Sequence, residues 1–189
     1  MTNTLKIAPL NDDAIYQIWQ AGFSQPQPEW KKLDGPYFEN YQPFIDFEAF
    51  KQSDYFRFFK REDVQGIFLN GEAIGIVSRH WENEKTQWLE IGIVLYRSTS
   101  WGQNIGTQAL AIWIDQIFQM YPKLQHIGLT TWSGNQRMMK AAQKLGMKEE
   151  ARIRQVRYWQ GVYYDSMKYG VLRQEWETIR DQYPVSSDR

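Results

Sequence analysis

The stretch from Leu89 to Leu110 reads LEIGIVLYRSTSWGQNIGTQAL. An apolar strand enters a short polar loop, which opens through Trp101, Gly102, Gln103, Asn104, Ile105, Gly106 and Thr107 into a helix. Unpaired backbone N–H groups and the positive end of a helix dipole converge at such a turn, so the chemistry it offers is the binding of phosphate. No Gly-Lys-Ser/Thr follows, which excludes a Walker A loop, and G-x-G-x-x-G is absent, which excludes the dinucleotide fingerprint. Glycine spacing alone fits an ordinary strand-to-helix turn equally well.

A second polar cluster begins at Asn135, a residue well suited to cap a helix. Behind it Arg137, Lys140 and Lys144 recur at i, i+3 and i+7 and share one face, while Met138, Ala141, Ala142 and Leu145 make the opposite, apolar one. A solvated face is the commoner meaning of such a basic stripe.

Elements of changing period must position these groups. Leu5 to Ala8 is a short strand, and Asn11-Asp12-Asp13 caps a helix carrying Ile15, Ile18 and Trp19 on one face. Gly22 to Tyr41, rich in Pro, Gly and aromatics, reads as a long ordered loop of the functional kind. From Val64 the period is two: Val64 to Leu69, an Asn70-Gly71 turn, Ala73 to Trp81, a polar turn, then Trp88 to Leu95, an antiparallel meander. Ile105, Ala109, Trp113 and Ile117 mark a helix running to Met120, closed by Pro122. A strand over Gln125 to Thr131, a helix over Asn135 to Leu145 with Gly146 as C-cap, strands over Lys148 to Gln160 and Val162 to Val171, and a helix over Gln174 to Asp181 complete the chain. The order predicts an α/β (α+β) fold, a mixed, mostly antiparallel central sheet flanked by helices, with residues 1–189 as a single domain.

Composition narrows the function. The chain has 189 residues, 22 basic and 22 acidic side chains, and no cysteine. A domain of this length buries roughly 70% of the surface its unfolded chain exposes and needs no staples. Zero net charge removes the basic field expected of a partner of nucleic acid or of anionic membranes. Without cysteine there is no thiolate metal site, and two histidines, His80 and His126, leave little for imidazole ligation, so no metal is expected. Met1 to Leu10 lacks the apolar run of a signal peptide, and no segment approaches the roughly 20 residues that span a bilayer. A cytoplasmic, soluble domain is the expectation, with no nucleic-acid or membrane partner. Nine tryptophans are the odd feature.

Taken together, the strand-loop-helix at Leu89 to Leu110, Thr131-Trp132-Ser133-Gly134-Asn135, Lys144-Leu145-Gly146-Met147, Gly161 to Asp165 and Tyr169-Gly170 resemble the GNAT superfamily of acetyl-CoA-dependent N-acetyltransferases, in particular its RimJ/RimL-like branch. The resemblance is strongest over residues 60–177 and rests on order and spacing together. In that family the pyrophosphate loop runs Arg or Gln, two residues, Gly, one residue, then Gly or Ala. Here Gly106 matches, Trp101 stands in the first place and Asn104 in that of the middle glycine. Asn tolerates positive φ better than other non-glycine residues, so the turn is expected to survive.

The resemblance implies acetyl-CoA as cosubstrate, cradled by backbone amides from Gly102 to Thr107, with Val94 and Leu95 beside the thioester, Asn135 on the pantetheine arm and Lys140 toward a phosphate. It implies direct attack by an amine in a ternary complex. An aliphatic ammonium with a pKa near 10.4 must first lose a proton. Glu90 is the candidate base: alternation puts Glu90, Gly92 and Val94 on one strand face and Leu89, Ile91, Ile93 and Leu95 on the other. His80, on the neighbouring strand, is a candidate proton relay. Positions where relatives carry an acid hold Met138, Ala142 and Gln143. Asp165 fits a structural hydrogen-bonding role. Trp81, Trp88, Trp101 and Trp132 are expected to frame the cofactor cleft. The acceptor is a small-molecule or peptide amine, and the protein a monomer or homodimer. The rival readings are an acetyl-CoA sensor without turnover and an aromatic-lined ligand-binding module.

Overall fold

A computed structural model describes residues 4–38 and 40–183. Among the described residues seven strands hydrogen-bond in the order β1-β2-β3-β4-β5-β7-β6: β1 (Leu5–Ala8), β2 (Val64–Leu69), β3 (Glu72–Asn83), β4 (Trp88–Leu95), β5 (His126–Trp132), β6 (Lys148–Trp159) and β7 (Val162–Leu172). The helices are α1 (Asp12–Gly22), α2 (Phe47–Lys51), α3 (Asp54–Phe59), α4 (Ile105–Met120), α5 (Gln136–Lys144) and α6 (Arg173–Ile179). This is the mixed, mostly antiparallel α/β architecture that the alternation of periods predicts. The chain forms two compact units, Met1–Ser78 with Ile93–Ile105, and Arg79–Gly92 with Gly106–Arg189.

In the first unit β1 pairs antiparallel with β2, and β2 with β3, around a turn in which Asn70 (φ 52°) and Gly71 (φ 86°) are both left-handed. That is the backbone an Asn-Gly hairpin requires. Asn11 caps α1, its side-chain oxygen accepting from the Ala14 N–H at 2.8 Å. The stretch from Gly22 to Tyr41, expected to be a long ordered loop, has one short 3₁₀ turn at Glu29–Lys32 and is anchored to the core by Phe23 and Trp30, while Gln25 to Gln27, Glu29 and Lys32 are exposed. Phe23 is fully buried and lies 4.8–6.4 Å, ring to ring, from Trp30, Tyr41, Phe50, Tyr55, Phe59 and Tyr96. Trp30 donates its indole N–H to the Gly22 carbonyl at 2.6 Å. A Cβ on Gly22 would come within 2.9 Å of Tyr96 Cβ, so the close approach needs glycine. Two helices that periodicity does not reveal, α2 and α3, have five and six residues, too short to complete two turns. Their caps are Asp46, on the Ala49 N–H, and Ser53, on the Phe56 N–H.

In the second unit β4 and β5 run parallel, with Leu89 opposite Ile127 and Glu90 opposite Gly128. β7 is antiparallel to both β5 and β6. One face of these strands is dry: Leu89, Ile91, Ile127, Leu129, Met167, Tyr169 and Val171 are buried. α5 starts where Asn135 accepts from the Met138 N–H at 3.0 Å and ends at Gly146, left-handed at φ 70°. Buried Asp115 on α4 accepts from Trp176 Nε1 at 3.2 Å and from Arg180, holding α6 against α4. Arg173 donates to the carbonyls of Phe118, Tyr121 and Leu124, capping the end of α4. Among the described residues no helix is long and apolar enough to cross a membrane.

Candidate active site

The other face of the second unit's strands carries the polar chemistry. Strand alternation puts His126, Gly128 and Thr130 of β5 on it, with Gly170 opposite Gly128 and Lys168 opposite Thr130 on β7. From β4, Glu90 enters the same face beside Gly128, opposite in sense to Leu89 and Ile91, as its sequence alternation predicts. A Cβ on Gly128 would stand 3.2 Å from Glu90 Cγ, so the glycine gives the carboxylate room to lie over the neighbouring strand.

Glu90 is only 4% exposed. Its Oε2 accepts from the Thr130 hydroxyl at 2.6 Å and its Oε1 from Lys168 Nζ at 2.9 Å. Lys168 Nζ also donates to Thr130 Oγ1 at 2.9 Å, closing a three-membered ring of hydrogen bonds, and lies 5.9 Å from the centre of the Trp88 ring. A buried carboxylate needs such partners, because a desolvated charge without them is costly. The sequence pattern points to Glu90 and misses Thr130 and Lys168. Their only local signal is a lysine set between the buried Met167 and Tyr169.

His80 is brought to Glu90. The ligand-capable atoms of His80, Glu82 and Glu90 all lie within 4.8 Å of one another, and His80 Nε2 is 3.1 Å from Glu82 Oε1. That spacing suits a cation, but both oxygens of Glu90 are already engaged and its charge is met by the Lys168 ammonium. The second histidine makes a parallel pair: His126 Nε2 lies 2.9 Å from Glu150 Oε1, in space that a Cβ on Gly170 would fill.

The loop residues from Val94 to Ile105 belong to the first unit, and Gly106 and Thr107 to the second. Tyr96 N–H donates to the Ile74 carbonyl at 2.9 Å, and Arg97 makes a two-pronged ion pair with Glu72. After a turn of 3₁₀ helix at Ser98–Ser100, Gly102 (φ 78°) and Asn104 (φ 64°) are both left-handed. Asn104 therefore keeps the backbone that a glycine would take. No side chain crowds Gly102, since a Cβ there would meet nothing within 4 Å, and the first turn of α4 carries no acidic residue. Backbone amides at a glycine-bearing turn that opens a helix are groups of the kind that hold a diphosphate. Gln103 is tied to the Thr99 carbonyl at 2.9 Å, and Ile105 and Thr107 are buried.

The tryptophans lie in different surroundings. Trp101 donates its N–H to the Leu95 carbonyl at 3.1 Å and packs on the first unit's apolar core. Trp132 is 3% exposed and edge-on to Trp159 and Tyr164, and Trp81 sits 5.2 Å from the Tyr121 ring. Trp88 adjoins the Glu90 group through Lys168. On α5, Asn135 is the cap, Lys140 is exposed, Met138 is half-buried, Ala142 is buried and Gln143 is exposed. Asp165 is structural, as expected, accepting from the Gln155 N–H at 3.0 Å and from Arg152 at 3.3 Å.

Residues 5–148 match the family described as the Acetyltransferase (GNAT) domain. Over 112 residues the chain is 26% identical to YdaF of Bacillus subtilis (strain 168), a protein named as a ribosomal N-acetyltransferase; the match covers 59% of this chain and 60% of that protein. Among solved structures, a GCN5-related N-acetyltransferase from Brucella melitensis superposes with a TM-score of 0.75 at 17% identity, covering 95% of this chain and 80% of the other. An acetyltransferase (GNAT family) from Bacillus anthracis gives 0.69 at 16%, covering 90% and 96%. An N-acetyltransferase from Staphylococcus aureus Mu50 gives 0.65 at 15%, covering 91% and 99%. At these identities the likeness to the solved structures is one of fold.

Proposed function

Because the chain belongs to the GNAT family of acetyltransferases, we propose that it is an N-acetyltransferase moving the acetyl group of acetyl-CoA to the primary amine of a small molecule or peptide by direct attack. The observation that carries this reading is Glu90: a buried carboxylate on the polar face of a sheet, oriented by Thr130 and Lys168, with an imidazole within reach. The loop from Gly102 to Thr107 supports it, since its left-handed residues and uncrowded Gly102 suit the diphosphate of CoA.

In this reading Glu90 takes the proton of the acceptor amine, and His80, through its contact with Glu82, passes it on to solvent. The amine attacks the thioester carbonyl, whose developing negative charge is assigned to the backbone N–H groups of Val94 or Leu95, further along the same strand. The thiolate leaves with a proton from water, as thiol pKa values near 8.5 permit. Trp101 does not grip the diphosphate in this scheme, because its N–H is committed to Leu95; Asn135 and Lys140 are assigned to the pantetheine arm and a phosphate. No step calls for a metal.

Acetyl-CoA at millimolar concentration is expected to raise the melting temperature. Glu90→Gln is expected to lower CoA release with an amine panel by roughly 10²-fold, the usual weight of a general base, with little change in CoA affinity. Absence of any thermal shift or binding heat with acetyl-CoA overturns the assignment. A sensor that binds acetyl-CoA without turnover is the second reading, favoured by the Lys168 ammonium already seated on Glu90. Sustained CoA release with any amine removes it.

A further inference from the structure

Glu90 already holds an amine. Lys168 Nζ is 2.9 Å from Glu90 Oε1, the distance at which a base accepts a proton, and its side chain remains 30% exposed. Thr130 and Trp88 fix it from two further sides. Resting on the proposed function, the argument is short: the amine that the base touches is the amine the reaction acylates.

We propose that Lys168 is a self-acetylation site, an internal acceptor for the acetyl group of acetyl-CoA. One proton passes from the Lys168 ammonium to Glu90 Oε1, giving a neutral amine. Its lone pair forms the N–C bond to the acetyl carbonyl, the C–S bond breaks with its electron pair on sulfur, and the nitrogen loses a second proton. The thiolate takes up one of the two, so each event yields acetyl-lysine, CoA thiol and one released proton. The product amide is neutral, so it cancels the ion pair with Glu90 and leaves that carboxylate open to an external amine.

What distinguishes Lys168 from Lys32, Lys51, Lys60 and Lys148 is the burial of its partner. Lys32, Lys51, Lys60 and Lys148 pair with Glu29, Glu48, Asp12 and Glu175, whose side chains are 27–78% exposed, against 5% for Glu90. Water screens those pairs, whereas Lys168 meets a carboxylate that is held out of solvent and fixed by Thr130.

The test is peptide mapping by mass spectrometry of the full chain incubated with acetyl-CoA alone, beside a sample incubated in urea. One acetyl group is expected at Lys168, formed roughly 10²-fold faster than at any other lysine, absent from the urea sample and from Glu90→Gln. Lys168→Arg, which keeps the positive charge, is expected to accept no acetyl group there while still gaining thermal stability from acetyl-CoA. Acetyl groups spread over exposed lysines with Lys168 spared, or a Lys168 signal unchanged in Glu90→Gln, overturns the inference. If acetyl-CoA stabilises the protein and an added amine is turned over while Lys168 stays unmodified, the inference fails and the proposed function stands. If acetyl-CoA gives no stabilisation at all, both fail.

Discussion

Lys168 Nζ and Glu90 Oε1 lie 2.9 Å apart on the polar sheet face although they are 78 positions apart in the chain. Removing one partner leaves the other short of a charge it was buried against. Lys168→Met is expected to cost about 2 kcal/mol, below the full figure for a buried pair because the lysine is partly exposed. Replacing both, Glu90→Gln with Lys168→Met, is expected to recover more than half of the summed loss, since neither desolvated charge remains. Urea denaturation of the four proteins of this cycle checks it; additive losses would mean that the two groups do not couple.

Asn104 sits at φ 64°, where a Cβ is strained and asparagine is among the few tolerated side chains. Asn104→Gly is expected to leave the melting temperature within error, and Asn104→Val to lower stability by about 1–2 kcal/mol. Because the turn shapes the proposed diphosphate cradle, Asn104→Val is also expected to weaken CoA binding in calorimetry by more than Asn104→Gly does. Equal affinities for the two variants would remove the loop from CoA recognition.

What the sequence discloses is governed by range. Asn70-Gly71, Asn11, Asn135 and Gly146 act on neighbours within four residues, and each is found in the turn or cap that its chemistry dictates. Glu90 is legible as a candidate because strand alternation separates it from Leu89 and Ile91. Its partners are not, because they depend on the Glu90–Gly128 and Thr130–Lys168 registers, which pair distant strands and leave no local pattern. The aromatic cluster is hidden for the same reason: Phe23, Trp30 and Tyr41 lie in a stretch with no period, and only the tertiary fold brings them together. Helices as short as α2 and α3 have too few residues to display a face.

Tyr169 is 1% exposed, and its hydroxyl meets no hydrogen-bond partner among the described residues. Burial raises its pKa, with Glu149 adding to the effect and Arg152 opposing it. An unsatisfied buried hydroxyl carries a desolvation cost with no return. Tyr169→Phe is therefore expected to stabilise by about 1 kcal/mol, roughly 3 °C in melting temperature for a chain of this size. Tyr169→Ala is expected to cost about 3–5 kcal/mol through the cavity it leaves. A destabilised Tyr169→Phe would show that the hydroxyl is hydrogen-bonded in solution.

The aromatic core of the first unit sets an alkaline limit. Tyr41 donates its hydroxyl to the Phe23 carbonyl at 3.0 Å, a bond that exists only while the phenol keeps its proton, and burial pushes its pKa up from 10.0 to about 12. Tyr96 is raised well above its ordinary value, first by burial and then by Asp34 and Tyr55. A phenol whose pKa rises on folding gives its full stabilisation below pH 10, where it is protonated in both folded and unfolded chains. Above pH 10 the unfolded chain loses the proton first, and for Tyr41 the stabilisation is gone once the pH passes about 12. The melting temperature should hold through neutral pH and fall steeply beyond pH 10, with Tyr41 accounting for about 1–2 kcal/mol after allowance for its partial exposure. Tyr41→Phe should be less stable near neutrality, for want of that hydrogen bond, and should show a shallower alkaline decline. Parallel curves for the two proteins above pH 10 would remove Tyr41 as a cause.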